Sequence, residues 1–266
     1  MQRYRVLGPL EVADRDQLIR IPSAQQRLLL AMLLVDAGRS VSAGHLIDEL
    51  WPDCLPHDPA AALRTQVSRL RRRLGASANR LRTEEHGYRL DVEADQVDAR
   101  LFERLLADGR VDEALALWRG PPLVEFAERE FARAEAVRLE ELCLAARERR
   151  AQTELARGEH DRVIADLQAL ISEYPEREHA RQFLMEALYQ TGRHADALAV
   201  YERWRRELVE RGLEPTPELS QLEQRILEHR LVPSESALPA RTDSFLGRER
   251  DMRAVASALG ESRVVT

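Results

Sequence analysis

The chain has 266 residues, with 40 basic and 46 acidic side chains and a formal net charge of −6. All 40 basic residues are arginine, which is typical of a GC-rich coding bias and makes every cationic contact a planar, permanently charged fork. The length predicts about two domains. The sequence has no run of about 18 apolar residues, so we expect no transmembrane helix, and residues 1–12 lack the apolar core of a signal peptide. We therefore expect a cytoplasmic protein.

The first predicted elements are a short hairpin and two helices. Residues 4–12 alternate polar and apolar side chains around a Gly-Pro turn, which predicts a hairpin-like sheet. Ser23 with Gln26 predicts a capping box for the first helix, which ends near Gly38. Ser42 predicts the start of the second helix.

A third helix and a second hairpin complete the N-terminal region. Asp58 followed by Pro59 is typical of a helix start, and this helix runs to Leu74. Residues 80–83 and 88–92 predict two short strands. A sheet, three helices and a terminal hairpin together predict a winged helix-turn-helix domain.

The charge of the third helix and the hairpin after it is unlike that of the rest of the chain. The segment 60–83 holds seven arginines and no acidic residue. A local charge of +7 in an acidic protein predicts an anion-binding surface. The alternative is a solvated helix face, although such faces usually alternate glutamate with arginine.

The helical period separates a core face from a reading face on the third helix. At about 100° per residue, one apolar stripe is made of Leu63, Val67, Leu70 and Leu74. The opposite face carries small side chains and arginines, so it can enter a major groove without obstruction. We predict base contacts from Thr65, Ser68, Arg69 and Arg72. We predict phosphate contacts from Arg64, Arg71 and Arg73 on the flanks.

From residue 97 onwards the pattern is almost wholly helical and partly repetitive. The segments 105–118 and 188–201 share Gly-Arg, an acidic residue, Ala-Leu-Ala and an aromatic residue. A third turn at Gly158 precedes Gly192 by 34 residues, which is the tetratricopeptide (TPR) period. We expect a TPR-like array, with a long helix over 128–157 and a helix restart at Thr216.

Three N-terminal runs resemble the OmpR-type DNA-binding domain of the Streptomyces antibiotic regulatory proteins, AfsR-like activators of secondary metabolism. They are RLLLAMLLVDAGRSVSAGHLIDELWP, ALRTQVSRLRRRLG and HGYRL. The resemblance implies recognition residues Arg64, Thr65, Gln66, Arg69 and Arg71, and wing residues Arg82, Thr83 and His86. It also implies a phosphate contact for Trp51, whose alternative role is that of a core aromatic residue.

The later runs WRGPPL, ISEYPEREHARQFLMEALYQTGRHADALAVYERWRREL and GLEPTPEL resemble the bacterial transcriptional activator domain of the same family. The resemblance implies binding to direct repeats in promoters as a homodimer or in tandem, and contact with the sigma subunit of RNA polymerase. We predict a winged helix over 1–96, the activator domain over 97–230 and a linker over 231–243. The segment 244–266 resembles the start of a STAND-type NTPase domain.

Enzymatic function is not predicted by any motif. The seven histidines and two cysteines form no metal-ligand or nucleophile pattern, and a Walker A loop is impossible without lysine. We therefore expect no catalytic residues, no metal and no cofactor, although a longer parent protein could carry an ATPase. The leading hypothesis is a DNA-binding transcriptional activator; the alternatives are a TPR-like adaptor that binds a protein and a signal-sensing module.

Overall fold

The N-terminal residues form a small antiparallel sheet in the computed structural model, which describes residues 2–14 and 17–228. Its strands are β1 (Gln2–Arg5), β2 (Glu11–Asp14) and β3 (Gln17–Leu18), in that spatial order. Tyr4 lies opposite Val12, and both side chains are buried. The predicted hairpin is confirmed, with one additional strand.

Three helices follow the sheet: α1 (Ala24–Val35), α2 (Ala43–Leu50) and α3 (Pro59–Leu74). The Ser42 side chain caps α2 as predicted, since its hydroxyl accepts a hydrogen bond from the His45 N–H at 3.2 Å. The capping box predicted for α1 is wrong. Ser23 stands at the N-cap but its side chain makes no capping bond, and Gln26 is buried in the core and does not reach back to the helix start.

The second sheet has three strands rather than the predicted two. Strands β5 (Leu81–Thr83) and β6 (Gly87–Leu90) form the expected hairpin. The additional strand β4 (Val41–Ser42) pairs with β6, which gives the order β4-β6-β5. This pairing attaches the hairpin, which is the wing, to the residues that immediately precede α2.

The remaining helices are α4 (Asp98–Ala107), α5 (Val111–Leu115), α6 (Glu130–Ala156), α7 (His160–Glu173), α8 (Glu178–Gln190), α9 (His194–Glu210) and α10 (Pro217–Leu227). The long predicted helix is confirmed as α6. Gly158 and Gly192 end helices with positive φ angles of 81° and 76°, as their turn positions predict. The Thr216 hydroxyl accepts from the Leu219 N–H at the start of α10, as expected.

Two apolar cores stabilise the structure, and the first of them extends across the predicted boundary between residues 96 and 97. It joins the winged helix to α4, α5 and the first half of α6, and it includes Tyr4, Leu30, Phe102 and Leu139. The second core lies between the end of α6 and α10. The fold is thus a winged helix-turn-helix followed by an all-α TPR-like array, and the first core contains residues of both parts.

A buried carboxylate fixes this junction. Asp98 accepts hydrogen bonds from the backbone N–H groups of Val6 and Leu7, at 2.7 and 3.1 Å. Burial raises the pKa of Asp98, and the two N–H bonds together with the charge of Arg119 limit the rise. Glu125 adds a second junction contact, because its carboxylate accepts from the Leu10 N–H at 3.0 Å.

The predicted linker (231–243) and NTPase-like segment (244–266) lie outside the described residues. None of the helices within residues 2–14 and 17–228 combines the length and apolarity that crossing a bilayer requires.

Candidate nucleic-acid interface

Helix α3 carries the predicted reading face, and a cap and an apolar stripe set its position. The Asp58 carboxylate accepts from the Ala61 N–H at 2.8 Å, and Pro59 is the first helical residue. The predicted stripe is confirmed, because its four members are all buried against α1 and α2: Leu63, Val67, Leu70 and Leu74. The opposite face of α3 is therefore directed away from the core.

The outward face is exposed and strongly positive. Its exposed side chains are Arg64, Thr65, Ser68, Arg69, Arg72 and Arg73. Within the described part of the chain, none of these four arginines forms a hydrogen bond or an ion pair. By contrast, Arg138 on α6 pairs with both Glu103 and Glu135. The arginines of α3 can bind an anion without first breaking an internal ion pair.

Thr65 has a restricted way of contacting a base. Its hydroxyl donates to the Ala61 carbonyl at 2.9 Å, so its single proton is in use. The lone pairs and the methyl group remain exposed. This arrangement suits acceptance from an exocyclic amino group or contact with a thymine methyl.

Arg71 joins α3 to the wing. Its Nε and Nη2 donate to the Leu81 carbonyl at 2.9 and 2.7 Å, and Nη2 also donates to the Thr83 hydroxyl at 2.9 Å. Arg71 is half-buried. The structure thus assigns most of its donors to holding the wing beside the helix, whereas the pattern predicted a free flanking cation.

Gln66 is placed on the inner side of α3. It is 9% exposed, and its amide donates to the Gln25 side chain on α1 at 2.8 Å. The resemblance grouped Gln66 with the exposed reading residues. It lies three residues after Leu63 and four before Leu70, which are the spacings that place side chains on the same helix face, and that signal could have located it.

The wing carries paired charges. Arg82 forms an ion pair with Asp91 at 3.0 Å, and the exposed His86 imidazole lies 3.7 Å from the Glu85 carboxylate. The Thr83 hydroxyl accepts from Arg71. The positive potential of the interface is therefore concentrated on α3 rather than on the wing.

Gly87 supports the interface, and the pattern analysis did not single it out. A Cβ atom at this position would stand 1.9 Å from the Val41 carbonyl oxygen, because β4 and β6 approach closely there. The neighbouring His86 carbonyl accepts from the Ala43 N–H at 2.9 Å. Only glycine permits this docking of the wing onto the start of α2.

Trp51 stands at the C-terminal end of α2, where its backbone N–H donates to the Ile47 carbonyl at 3.0 Å. The side chain is half-buried and packs against the first core. This contact agrees with a core role, and the partial exposure leaves part of the ring at the surface. In the ranges that the structure describes, no group of three or more His, Cys, Asp or Glu residues is arranged to hold a metal ion.

Comparison with protein families gives two matches along the chain. Residues 16–90 match the family described as "Transcriptional regulatory protein, C terminal", and residues 92–227 match the "Bacterial transcriptional activator domain". The two matches cover the winged helix and the helical array in turn.

Individual relatives agree with the two domain matches. The chain is 35% identical to the regulatory protein AfsR of Streptomyces griseus over 97% of its own length, and it spans 29% of that relative. It is 34% identical to the regulatory protein DnrI of Streptomyces peucetius, over 85% of this chain and 92% of the relative.

A solved structure has the same fold. Mycobacterium tuberculosis EmbR, in complex with a low-affinity phosphopeptide, superposes with a TM-score of 0.79 and 29% identity, over 100% of this chain and 72% of the EmbR chain. AfsR and DnrI are both named as regulatory proteins. The chain belongs to the Streptomyces antibiotic regulatory protein family of transcriptional regulators, in which an OmpR-type DNA-binding domain precedes a bacterial transcriptional activator domain.

Proposed function

We propose that the chain is a sequence-specific, DNA-binding transcriptional activator whose α3 enters the major groove. The observation that carries the proposal is the set of four exposed arginines on α3 that have no partner in the described residues. Phosphates attract such cations and release bound counterions. The family membership supports the same role.

The two kinds of arginine have different tasks in this proposal. Arg69 and Arg72 occupy the outermost face and read base edges, and each bidentate contact with guanine discriminates by about 1–3 kcal/mol. Arg64 and Arg73 lie towards the flanks and bind phosphates, which fix register without reading sequence. Arg71 keeps the wing in position, so that the wing can contact the DNA backbone.

The test compares two arginines that are both exposed and unpaired. Fluorescence anisotropy with a promoter fragment should show that Arg69→Ala loses at least about tenfold in affinity, whereas Arg149→Ala on α6 binds as the wild type does. Circular dichroism should show equal helix content in both variants. If Arg69→Ala binds the promoter as tightly as the wild type, α3 does not read DNA in this way.

A salt titration separates this function from that of a TPR-like adaptor. DNA binding through several arginines should weaken by orders of magnitude between about 50 and 200 mM salt. A peptide held in a helical-repeat groove by apolar contacts should respond little. Weak salt dependence of the natural complex would favour the adaptor.

The finer parts of the proposal concern assembly at the promoter. We propose that two copies bind direct repeats, as a homodimer or in tandem, and that they contact the RNA polymerase sigma subunit. The protein would act in the cytoplasm and control genes for secondary metabolism, including antibiotic biosynthesis. Footprinting should then show two protected half-sites about one helical turn apart. Added RNA polymerase should extend the protection; a single protected site with no extension would contradict this assembly.

A further inference from the structure

A cleft of about 340 Å³ lies among α5, the segment 118–121, α6 and the end of α7. This volume is within the range of small-molecule sites, about 300–1,000 Å³. Its lining includes no residue of α3 or of the wing, so the proposed DNA contacts do not use it. We call it the Trp118 cleft.

One side of the Trp118 cleft is apolar. Leu115, Trp118, Pro121 and Leu144 contribute to it. Burial raises the pKa of the Cys143 thiol to about 11, which indicates a poorly hydrated wall. The indole nitrogen of Trp118 is buried and has no hydrogen-bond partner among the described residues, although buried indole N–H groups usually have one.

The other side offers cationic donors. Arg147 donates through Nη1 to Glu173 at 2.9 Å, and Arg150 donates through Nη2 to Asp166 at 3.0 Å. Each guanidinium has five N–H donors, so both retain N–H groups for a further acceptor. Two arginines three residues apart on one helix suit a planar, bidentate anion such as a carboxylate.

The acidic residue Glu140 also lines the cleft. Burial, and then the charges of Glu141 and Glu173, raise the pKa of Glu140. Glu173, the ion-pair partner of Arg147, lines the cleft as well. The cleft therefore combines an apolar wall with an end where Arg147 and Arg150 lie beside the carboxyls of Glu140 and Glu173.

We propose that the Trp118 cleft binds a planar aromatic carboxylic acid as an effector, with the ring against Trp118 and Pro121 and the carboxylate on Arg147 and Arg150. The apolar wall selects the ring, and the guanidinium pair selects the acid. Either feature alone would bind a much wider range of molecules.

The segment that lines the cleft also binds the turn between β1 and β2, which makes it a route to the winged helix. The Arg119 N–H donates to the Leu7 carbonyl at 2.9 Å, and Nη2 donates to the Pro9 carbonyl at 3.1 Å. Leu123 adopts a left-handed conformation with φ of 52°, and its N–H donates to the Val6 carbonyl at 2.9 Å. A molecule that displaces Trp118 should therefore also displace Arg119, the residue beside it that binds this turn.

The experiment uses 2-naphthoate as the probe and isothermal titration calorimetry on the whole chain without DNA. Naphthoate should bind the wild type, Arg147→Gln should weaken binding about tenfold or more, and Cys143→Met should abolish it by filling the cleft. The matched control Arg157→Gln removes an exposed arginine at the end of α6 and should bind as the wild type does. The neutral analogue 2-naphthylmethanol should bind much more weakly.

Thermal melting curves check that each variant is folded. If Arg147→Gln does not fold, Cys143→Met provides the test of the site. The site would be overturned if the wild type does not bind naphthoate at millimolar concentration, or if both Arg147→Gln and Cys143→Met bind it with wild-type affinity. This arm involves no DNA, so its result is independent of the proposed function.

The effector role rests on the proposed function and has its own arm. Saturating naphthoate should change the affinity for promoter DNA at least about threefold, and DNA should change naphthoate affinity by the same factor. Arg147→Gln must lose this effect, since direct competition at α3 would persist in that variant. Unchanged DNA affinity in the wild type would overturn the effector role.

Discussion

At the scale of single residues, the interface depends on side chains that hold it as much as on those that face outwards. Arg71 binds the Leu81 carbonyl and the Thr83 hydroxyl, whereas Arg73, two residues later, is exposed and unpaired in the described residues. Residue type and local charge are the same for both arginines. Their roles differ because only one lies beside the wing.

We expect Arg71→Ala to lower the free energy of unfolding by about 1–2 kcal/mol, because three hydrogen bonds between α3 and the wing are lost. Arg73→Ala should leave stability unchanged and instead reduce the salt dependence of DNA binding by about one phosphate contact. Urea denaturation and anisotropy titrations measure the two effects. Equal stability of the two variants would mean that Arg71 does not anchor the wing.

Gly87 gives a second residue-scale prediction. Gly87→Ala places a Cβ atom against the Val41 carbonyl, so we expect a loss of about 2 kcal/mol in the free energy of unfolding. The control is Gly44→Ala in α2, where a Cβ atom meets nothing within 4 Å and the higher helix propensity should stabilise by up to about 1 kcal/mol. Denaturation of both variants tests the contrast; if Gly87→Ala is as stable as the wild type, the close strand approach is absent.

At the scale of elements, Glu178 at the start of α8 links three helices. Its carboxylate accepts from the Trp204 indole on α9 at 2.8 Å and from the Thr216 N–H before α10 at 2.9 Å. Burial acts to raise the pKa of Glu178, but the bonds from Thr216 and Trp204 outweigh it and lower the pKa. Ionised Glu178 therefore stabilises the end of the array.

A lowered carboxyl pKa contributes stability that is present above the unfolded pKa and is lost as pH falls through the folded one. We expect Glu178→Gln to lower the free energy of unfolding at pH 7 by about 1–2 kcal/mol, since charge-assisted bonds are weakened. The difference in unfolding free energy between the variant and the wild type should shrink as the pH falls below the ordinary glutamate pKa, near pH 4. Denaturation across pH 3–7 checks this, and a pH-independent difference would exclude the carboxylate as its source.

Elements with local start signals could be predicted from the sequence, and elements with non-local causes could not. Ser42, Asp58 and Thr216 each form the expected cap, because a cap requires only residues within one turn. Strand β4 has two residues and is defined by its pairing with β6, more than forty residues away. Gln26 does not cap α1 because its side chain is buried by residues distant in the sequence, which no local pattern indicates.

At the scale of the whole molecule, the winged helix shares the first core with α4, α5 and part of α6. The bonds from Val6 and Leu7 to Asp98 connect residues 92 and 91 positions apart. No periodicity within either part indicates such contacts. The sequence could therefore predict the two parts and their order, and also the arginine face of α3, but not the shared core.

We expect Asp98→Ala to cost about 2–5 kcal/mol in the free energy of unfolding, because it leaves two buried N–H groups without an acceptor. Asp95→Ala removes only an exposed ion pair with Arg104 and should cost less than about 1 kcal/mol. Chemical denaturation of the two variants provides the comparison. A small effect of Asp98→Ala would show that the junction tolerates loss of its buried acceptor.

Helix α6 extends from the first core to the second without a break. Ala132 and Leu139 lie in the first core, and Ala151 lies in the second. Its 27 residues make a rod about 40 Å long. Such a rod acts as a lever: a tilt of about 5° about one end moves the other by about 3 Å, which is large beside the tolerance of close-packed interiors. A partner that binds helices α7–α10 can therefore change the position of the winged helix without contacting it.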